Sequence, residues 1–320
     1  MREELLTIRG FKKYFRTSQG IVRAVDAIDF SIMLGETFGL VGESGSGKST
    51  VAYVLVGVYG PTEGQLLFEG QDIGRDFRIR SMRLKKDIQI VFQDPGSSLN
   101  PRRSVKQIVG HPLRMHHLQR KKNIAAKVAE LLTMVGLPVD YMHKYPRAIG
   151  GGEKQLVAIA RALATSPSLV ILDEPTSALD VSMQAKVLNQ LIQIQEDLNL
   201  TYLFITHDLS IMRNLATRVA IMYLGKLEEV ARTVDFFQKP RHPYTQMLLS
   251  SIPVSSEEEA AMKPKKNPSK GEIPSPVNVP SGCGFHPRCR RKIETCSELD
   301  PEMLKINEEH FVRCHLYATS

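Results

Sequence analysis

Phe38-Gly-Leu-Val-Gly-Glu-Ser-Gly-Ser-Gly-Lys-Ser-Thr50 is the stretch from which the rest of the chain is read. Phe38 to Val41 is an apolar run of strand length. A glycine-rich loop follows at once, Gly42-Glu43-Ser44-Gly45-Ser46-Gly47-Lys48-Ser49, with Thr50 next in line. This is the phosphate-loop pattern in its expected context, after a strand and before a helix. Glycines let successive backbone N–H groups turn inward as an anion nest where side chains would block the phosphates. A helix starting near Lys48 aims its positive end at the same place. Lys48 can reach the outer phosphates of a nucleotide, and the Ser49 hydroxyl is placed to coordinate Mg²⁺.

Further along, Leu169-Val-Ile-Leu-Asp173-Glu174 is a second apolar strand, and it ends in two acids. Ligands of open α/β sheets bind at the carboxyl ends of the strands. Asp173 is therefore the candidate to hold Mg²⁺ opposite Ser49, and Glu174 the candidate general base for the attacking water. Ile88–Phe92 and Tyr202–Ile205 are further strand candidates. Leu156, Ile159 and Leu163 recur at helical spacing ahead of Pro167, and residues 100–165 lack convincing strands. The expectation is an α/β domain over 1–250 with a helical subdomain inserted at about 100–165. Residues 251–280 hold six prolines among charged residues and read as a linker. Residues 281–320 form a Cys-rich tail. No internal repeat is evident.

Composition narrows the class without naming the chemistry. Of the 320 residues, 42% are hydrophobic and 24% charged, ordinary values for a soluble protein. No apolar run approaches the roughly 18 residues of a membrane-spanning helix. The Met-Arg-Glu-Glu start lacks the apolar stretch of a secretory signal, so the expected compartment is the cytoplasm. The formal charge of +8 suits nucleotide, nucleic acid or a membrane face, or simply aids solubility, and its clusters carry no interleaved aromatics. All four cysteines, Cys283, Cys289, Cys296 and Cys314, fall in the tail. In a reducing compartment this favours metal over disulfides, and four thiolates suit either Zn²⁺ or an iron–sulfur cluster.

Four more segments, in the right order, resemble the ABC ATPase family. Gln93 matches the glutamine that senses Mg²⁺ and the attacking water. Ile149-Gly150-Gly151-Gly152-Glu153 resembles the signature loop that reads a partner subunit's nucleotide. Ser177-Ala-Leu-Asp180 resembles the D-loop, and His207 matches the switch histidine. Tyr14, with Phe15 as a rival, resembles the aromatic that stacks on adenine. The resemblance implies a P-loop NTPase (RecA-like) core with an antiparallel β part and an inserted helical subdomain, binding ATP and Mg²⁺. Glu174, His207 and Gln93 would be catalytic, and hydrolysis would need two ATPase domains face to face.

Gln93–Arg102, Arg241–Thr245 and Cys283–Cys289 narrow the resemblance to the ATPase subunits of dipeptide/oligopeptide permeases. That subfamily implies import, with two transmembrane permease subunits, a second ATPase subunit and an extracytoplasmic binding protein. It places the chain on the cytoplasmic face of the membrane, with no nucleic-acid partner, and implies a [4Fe–4S] cluster on the four cysteines, with Zn²⁺ as the alternative. Relatives of this kind also handle oligosaccharides and metal chelates. A soluble ABC ATPase acting on ribosomes or DNA is the competing class. It usually carries two ATPase halves or a long coiled coil, and this chain has one phosphate loop and no sustained heptads. Three departures stand out: Gly150 where the family has Ser, Glu153 where it has Gln, and Leu156 where Arg is frequent. They affect the site that this chain completes for its partner, and the expectation is an asymmetric heterodimer.

Overall fold

The computed structural model describes residues 3–74, 77–252 and 272–318. Two long strands, β1 (Glu4–Thr17) and β2 (Gly20–Met33), pair antiparallel. β3 (Thr37–Val41) is buried at every residue, and the glycine-rich loop leads from it into α1 (Lys48–Leu55). β4 (Glu63–Phe68) and β5 (Gln71–Asp72) complete a four-stranded antiparallel sheet in the order β2-β1-β4-β5. This is the expected antiparallel part.

After α2 (Met82–Asp87), capped by the Ser81 hydroxyl, comes β6 (Ile88–Val91). Between there and residue 169 the described chain is helical and irregular: α3 (Pro95–Ser98), α4 (Val105–Met115), α5 (Ile124–Met134) and α6 (Gly151–Leu163). Asp94 caps α3, and Ser104 with Gln107 forms a reciprocal capping box on α4. These helices make up the helical part of the fold between β6 and residue 169. They bury Val109, Val128, Leu132 and Leu156 against one another.

The chain then alternates: β7 (Leu169–Asp173), α7 (Val181–Leu198), β8 (Thr201–Thr206), α8 (Leu209–Leu215), β9 (Arg218–Tyr223), β10 (Lys226–Arg232), α9 (Thr233–Gln238) and α10 (Pro243–Ser251). Residues 253–271, most of the expected 251–280 linker, lie outside the described residues. The Cys-rich segment contributes α11 (Thr295–Glu298), β11 (Leu304–Asn307) and β12 (His310–Val312). The main sheet has eight strands in the order β11-β12-β10-β9-β3-β8-β7-β6, parallel from β9 to β6 and antiparallel at the other end.

Both faces of the parallel part are covered, so its strands read as continuous apolar runs. Leu172 and Phe204 face the helical side, while their neighbours Ile171 and Leu203 face the layer built with Phe11, Ile28 and Phe38. The sheet places the carboxyl ends of β3, β6, β7 and β8 along one edge. Among the described residues no helix is long and apolar enough to cross a membrane.

Candidate functional site

Four neighbouring parallel strands deliver the predicted residues to that edge: β3 the glycine-rich loop, β6 Gln93, β7 Asp173 and Glu174, β8 His207. A cavity of about 750 Å³ opens there, lined by Glu43, Ser44, Gly45, Gly47, Lys48, Ser49, Thr50, Gln93, Glu174 and His207.

The loop has its shape because bulk is excluded. A Cβ on Gly42 would lie 2.2 Å from the Met222 carbonyl oxygen. One on Gly47, whose φ is +108°, would lie 2.0 Å from that of Ala24. Lys48 is buried and curls back over the loop, its Nζ donating to the carbonyl oxygens of Gly42 (2.7 Å) and Glu43 (3.0 Å) and to Ser46 Oγ (3.4 Å). Burial lowers the Lys48 pKa, opposed by the carboxylates of Glu174, Asp173 and Glu43.

Ser49 Oγ donates to Asp173 Oδ1 at 3.1 Å. Asp173 is buried, its Oδ2 has no hydrogen-bond partner, and burial raises its pKa to about 6. An orphaned carboxylate oxygen beside a serine hydroxyl fits a hard divalent cation, which takes oxygen ligands and would offset the desolvation. Bound there, Mg²⁺ would supply charge neutralisation for the phosphates.

Glu174 carries the positioning network. Its backbone lies in the left-handed region at φ +47°, a conformation disfavoured for a residue with a Cβ, and its N–H donates to the Ile205 carbonyl at 2.9 Å. Gln93 Nε2 donates to Glu174 Oε2 at 2.9 Å, and His207 Nδ1 lies 3.2 Å from Glu174 Oε1. The carboxylate is thus fixed from both sides at the cavity wall.

The remaining predicted residues lie elsewhere. Gly150 to Glu153 do not line this cavity. They start α6, where Gly150 N–H donates to Glu153 Oε2 at 2.6 Å and Tyr141 donates its hydroxyl to Oε1 at 2.6 Å. The Tyr141 and Gly150 bonds lower the Glu153 pKa. Gly152 is packed flat on Met183, whose Cγ would lie 2.1 Å from an added Cβ. Asp180 caps α7 by accepting from Met183 N–H at 2.9 Å. Tyr14 donates its hydroxyl to Asp26 and is not among the cavity-lining residues, and Phe15 packs edge-on against Tyr59. Val22, Ala24, Ile273 and Pro276 line the cavity instead.

The four cysteines are free thiols, three of them buried, and Cys283 N–H donates to the Cys296 carbonyl at 2.9 Å. Burial raises the pKa values of Cys283, Cys289 and Cys314, with smaller upward contributions from Glu228 at Cys283 and Cys314 and from the neighbouring thiols. Among the described residues, however, no group of three or more His, Cys, Asp or Glu side chains is arranged to hold a metal ion. The expected four-cysteine ligand set is therefore not formed in this structure.

Sequence reasoning missed the side-chain partners of Glu43, namely Tyr244 and Arg288. Both lie inside the motifs Arg241–Thr245 and Cys283–Cys289, but no local pattern tells which distant loop they meet.

The sequence model of the family described as ABC transporter matches residues 25–177, and that described as oligopeptide/dipeptide transporter, C-terminal region, matches residues 229–296. The oligopeptide transport ATP-binding protein AppF of Bacillus subtilis is 46% identical across 99% of this chain and 98% of its own length. The putative oligopeptide transport ATP-binding protein YkfD of the same organism is 43% identical across 100% and 97%. Among solved structures, the ATP-binding cassette MJ0796, a dimer bound to ADP and Pi, aligns with TM-score 0.64 and 27% identity over 71% of this chain and 98% of that one. Clostridium perfringens cbiO1, part of an ABC transporter complex, aligns with TM-score 0.65 and 29% identity over 74% and 92%.

Proposed function

From the premise that the chain belongs to the ABC transporter family, as an ATP-binding subunit of its oligopeptide/dipeptide branch, we propose that the cavity at the β3–β8 edge is the hydrolytic ATP site of a peptide importer. The chain is an ATPase that works with permease subunits in the membrane. The observation that carries the site assignment is Glu174 held between Gln93 and His207, on the wall of the cavity that the glycine-rich loop enters.

Each residue has a physical task. The backbone N–H groups of the Gly42–Ser49 loop that are not already engaged, as those of Glu43 and Ser46 are, hold the phosphates with the Lys48 ammonium, and Lys48 exchanges its carbonyl contacts for them. Ser49 and Asp173 would hold Mg²⁺. Glu174 accepts the proton of the attacking water, Gln93 orients the carboxylate, and His207 bonds to the terminal phosphate.

Gly150 to Glu153 lie outside this chain's own cavity, which supports a reading in which they complete the site of a second ATPase subunit. Gly150 brings no hydroxyl to that site and its own N–H is already held by Glu153, which favours an asymmetric heterodimer with unequal turnover. The finer reading of the assembly adds an extracytoplasmic binding protein and a position on the cytoplasmic face. A [4Fe–4S] cluster, or Zn²⁺, as a structural staple of this segment rests on the family resemblance of the four cysteines alone; they would have to be drawn together on binding it, because the structure does not gather them into a ligand set. We take 1–250 as the motor, with its helical insertion, 251–280 as the connection and 281–320 as the stapled segment.

The test is ATPase activity of the subunit co-purified anaerobically with its genomic neighbours, with and without peptide and binding protein. Peptide-stimulated hydrolysis is expected. Glu174→Gln should lower kcat by about 100-fold or more while ATP binding persists. Retention of more than half the activity would sink the role of Glu174, and no response to peptides would redirect the cargo to oligosaccharides.

A further inference from the structure

Glu43 is the second residue of the glycine-rich loop and lines the cavity that must receive phosphates, with its side chain 24% exposed. An unpaired carboxylate there would repel a polyanion. Arg288, from the Cys283–Cys289 loop and 245 residues away, meets it with both terminal nitrogens: Nη1 to Oε2 at 2.8 Å and Nη2 to Oε1 at 3.2 Å. The fork-on-fork geometry fixes direction as well as charge. Tyr244 of α10 closes the arrangement, donating its hydroxyl to Glu43 Oε2 at 3.1 Å and accepting from the Glu43 N–H at 3.2 Å.

Arg288 is itself held. It is 7% exposed, its guanidinium lies 5.8 Å from the ring centres of both Tyr223 and Phe285, and its N–H donates to the Phe285 carbonyl at 3.0 Å. Tyr223, Tyr244 and Phe285 pack ring on ring, with centres 4.6 to 5.5 Å apart. The guanidinium therefore cannot swing away from Glu43 without disturbing an aromatic cluster shared by β9, α10 and the C-terminal segment.

We infer that Arg288 is a positioning residue of the ATP site: it neutralises Glu43 and fixes the entry of the phosphate loop, so that the C-terminal segment sets ATP affinity from behind the loop. The inference rests on the reading of this cavity as an ATP site. By linkage it works both ways, ATP binding steadying the segment that steadies the loop.

The experiment is a double-mutant cycle on the full chain, with ATP·Mg affinity measured by calorimetry and folding followed by Tm. Arg288→Gln should weaken ATP binding about tenfold, the scale of one lost charge-assisted bond, because it exposes the Glu43 carboxylate to the phosphates. Adding Glu43→Gln removes that carboxylate, and the double variant should return to within about threefold of wild type. A merely structural Arg288 would give no such rescue, since the segment's anchor would still be missing. Unchanged affinity in Arg288→Gln, or a double variant as weak as the single one, overturns the inference. Should Arg288→Gln not fold, hydrogen exchange on the wild-type chain decides: ATP should slow exchange across residues 283–290, and no slowing overturns the inference. Lys48→Ala separates the two layers of argument. If wild type binds no ATP, or Lys48→Ala binds as well, the site reading falls. If binding depends on Lys48 and Arg288→Gln is silent, only the positioning role of Arg288 falls.

Discussion

Asp173 ends a fully buried strand, and that burial raises its pKa to about 6, with Ser49 opposing the shift and Glu174 adding to it. A proton and Mg²⁺ compete for the same carboxylate. Below about pH 6 the proton holds it, so the Mg²⁺ dependence of ATP binding should weaken as pH falls through that value. Asp173→Asn should abolish the step, and a wild-type profile flat between pH 5 and 7, on a scale of about one unit either side, would remove Asp173 from the metal site. The acid pair and the glycine-rich loop were legible in the sequence because each carries its chemistry in contiguous residues at a strand end. Gln93 and His207 were legible only through family resemblance, since a lone glutamine or histidine after a strand has many uses. Arg288 was not legible at all: its role depends on a contact spanning most of the chain, which no periodicity encodes.

At the level of elements, α6 shows how a glycine-rich start can be rigid. Glu153 folds back to cap the Gly150 N–H in place of the missing N-cap side chain, and Gly152 lies flat on Met183 of α7. Gly152→Ala puts a methyl group into that contact and must move either Met183 or the loop. If the loop serves a partner's nucleotide, this variant should lose about tenfold or more in ATPase within the assembled transporter. ATP binding to the isolated chain should be unchanged, and a loss of binding by the isolated chain would contradict action across an interface. The parallel strands and the helical insertion were readable because buried strands are continuous apolar runs and α6 repeats at helical spacing. β1 and β2 were harder. Their register shifts between Ile8 and Phe11, and again around Lys13, so the alternation of inside and outside breaks where a sequence pattern would need it most. β11 and β12 are only four and three residues long, too short to show a pattern, and only their pairing makes them strands.

The whole molecule carries a buried Glu228 beside His242, their side chains 3.3 Å apart. Burial raises the Glu228 pKa to about 8, partly offset by Arg313 and Lys226, and burial lowers that of His242 to about 4. The native chain therefore keeps a proton on Glu228 that the unfolded chain releases near its ordinary value of 4.5. Stability must fall as pH rises from about 4.5 to about 8 on account of this group. Glu228→Gln, neutral at every pH, should flatten the decline of Tm over that window; an unchanged slope would show that Glu228 does not titrate as its burial requires. A different consequence follows from the last strands of the main sheet. β12 pairs with β10 through Glu229↔Val312 and Val230↔Phe311, and β11 lies outside it. On the ribosome, β10 emerges long before the residues that cover it. Until they arrive its backbone donors and acceptors stand open, an invitation to pair with a neighbouring nascent chain. A transcript stopping after residue 303 would make that interval permanent, and such a chain should be recovered in aggregates and not as soluble monomer. Completing the sheet thus exchanges a seven-residue open edge for the four-residue edge of β11, which offers a neighbouring chain less to pair with.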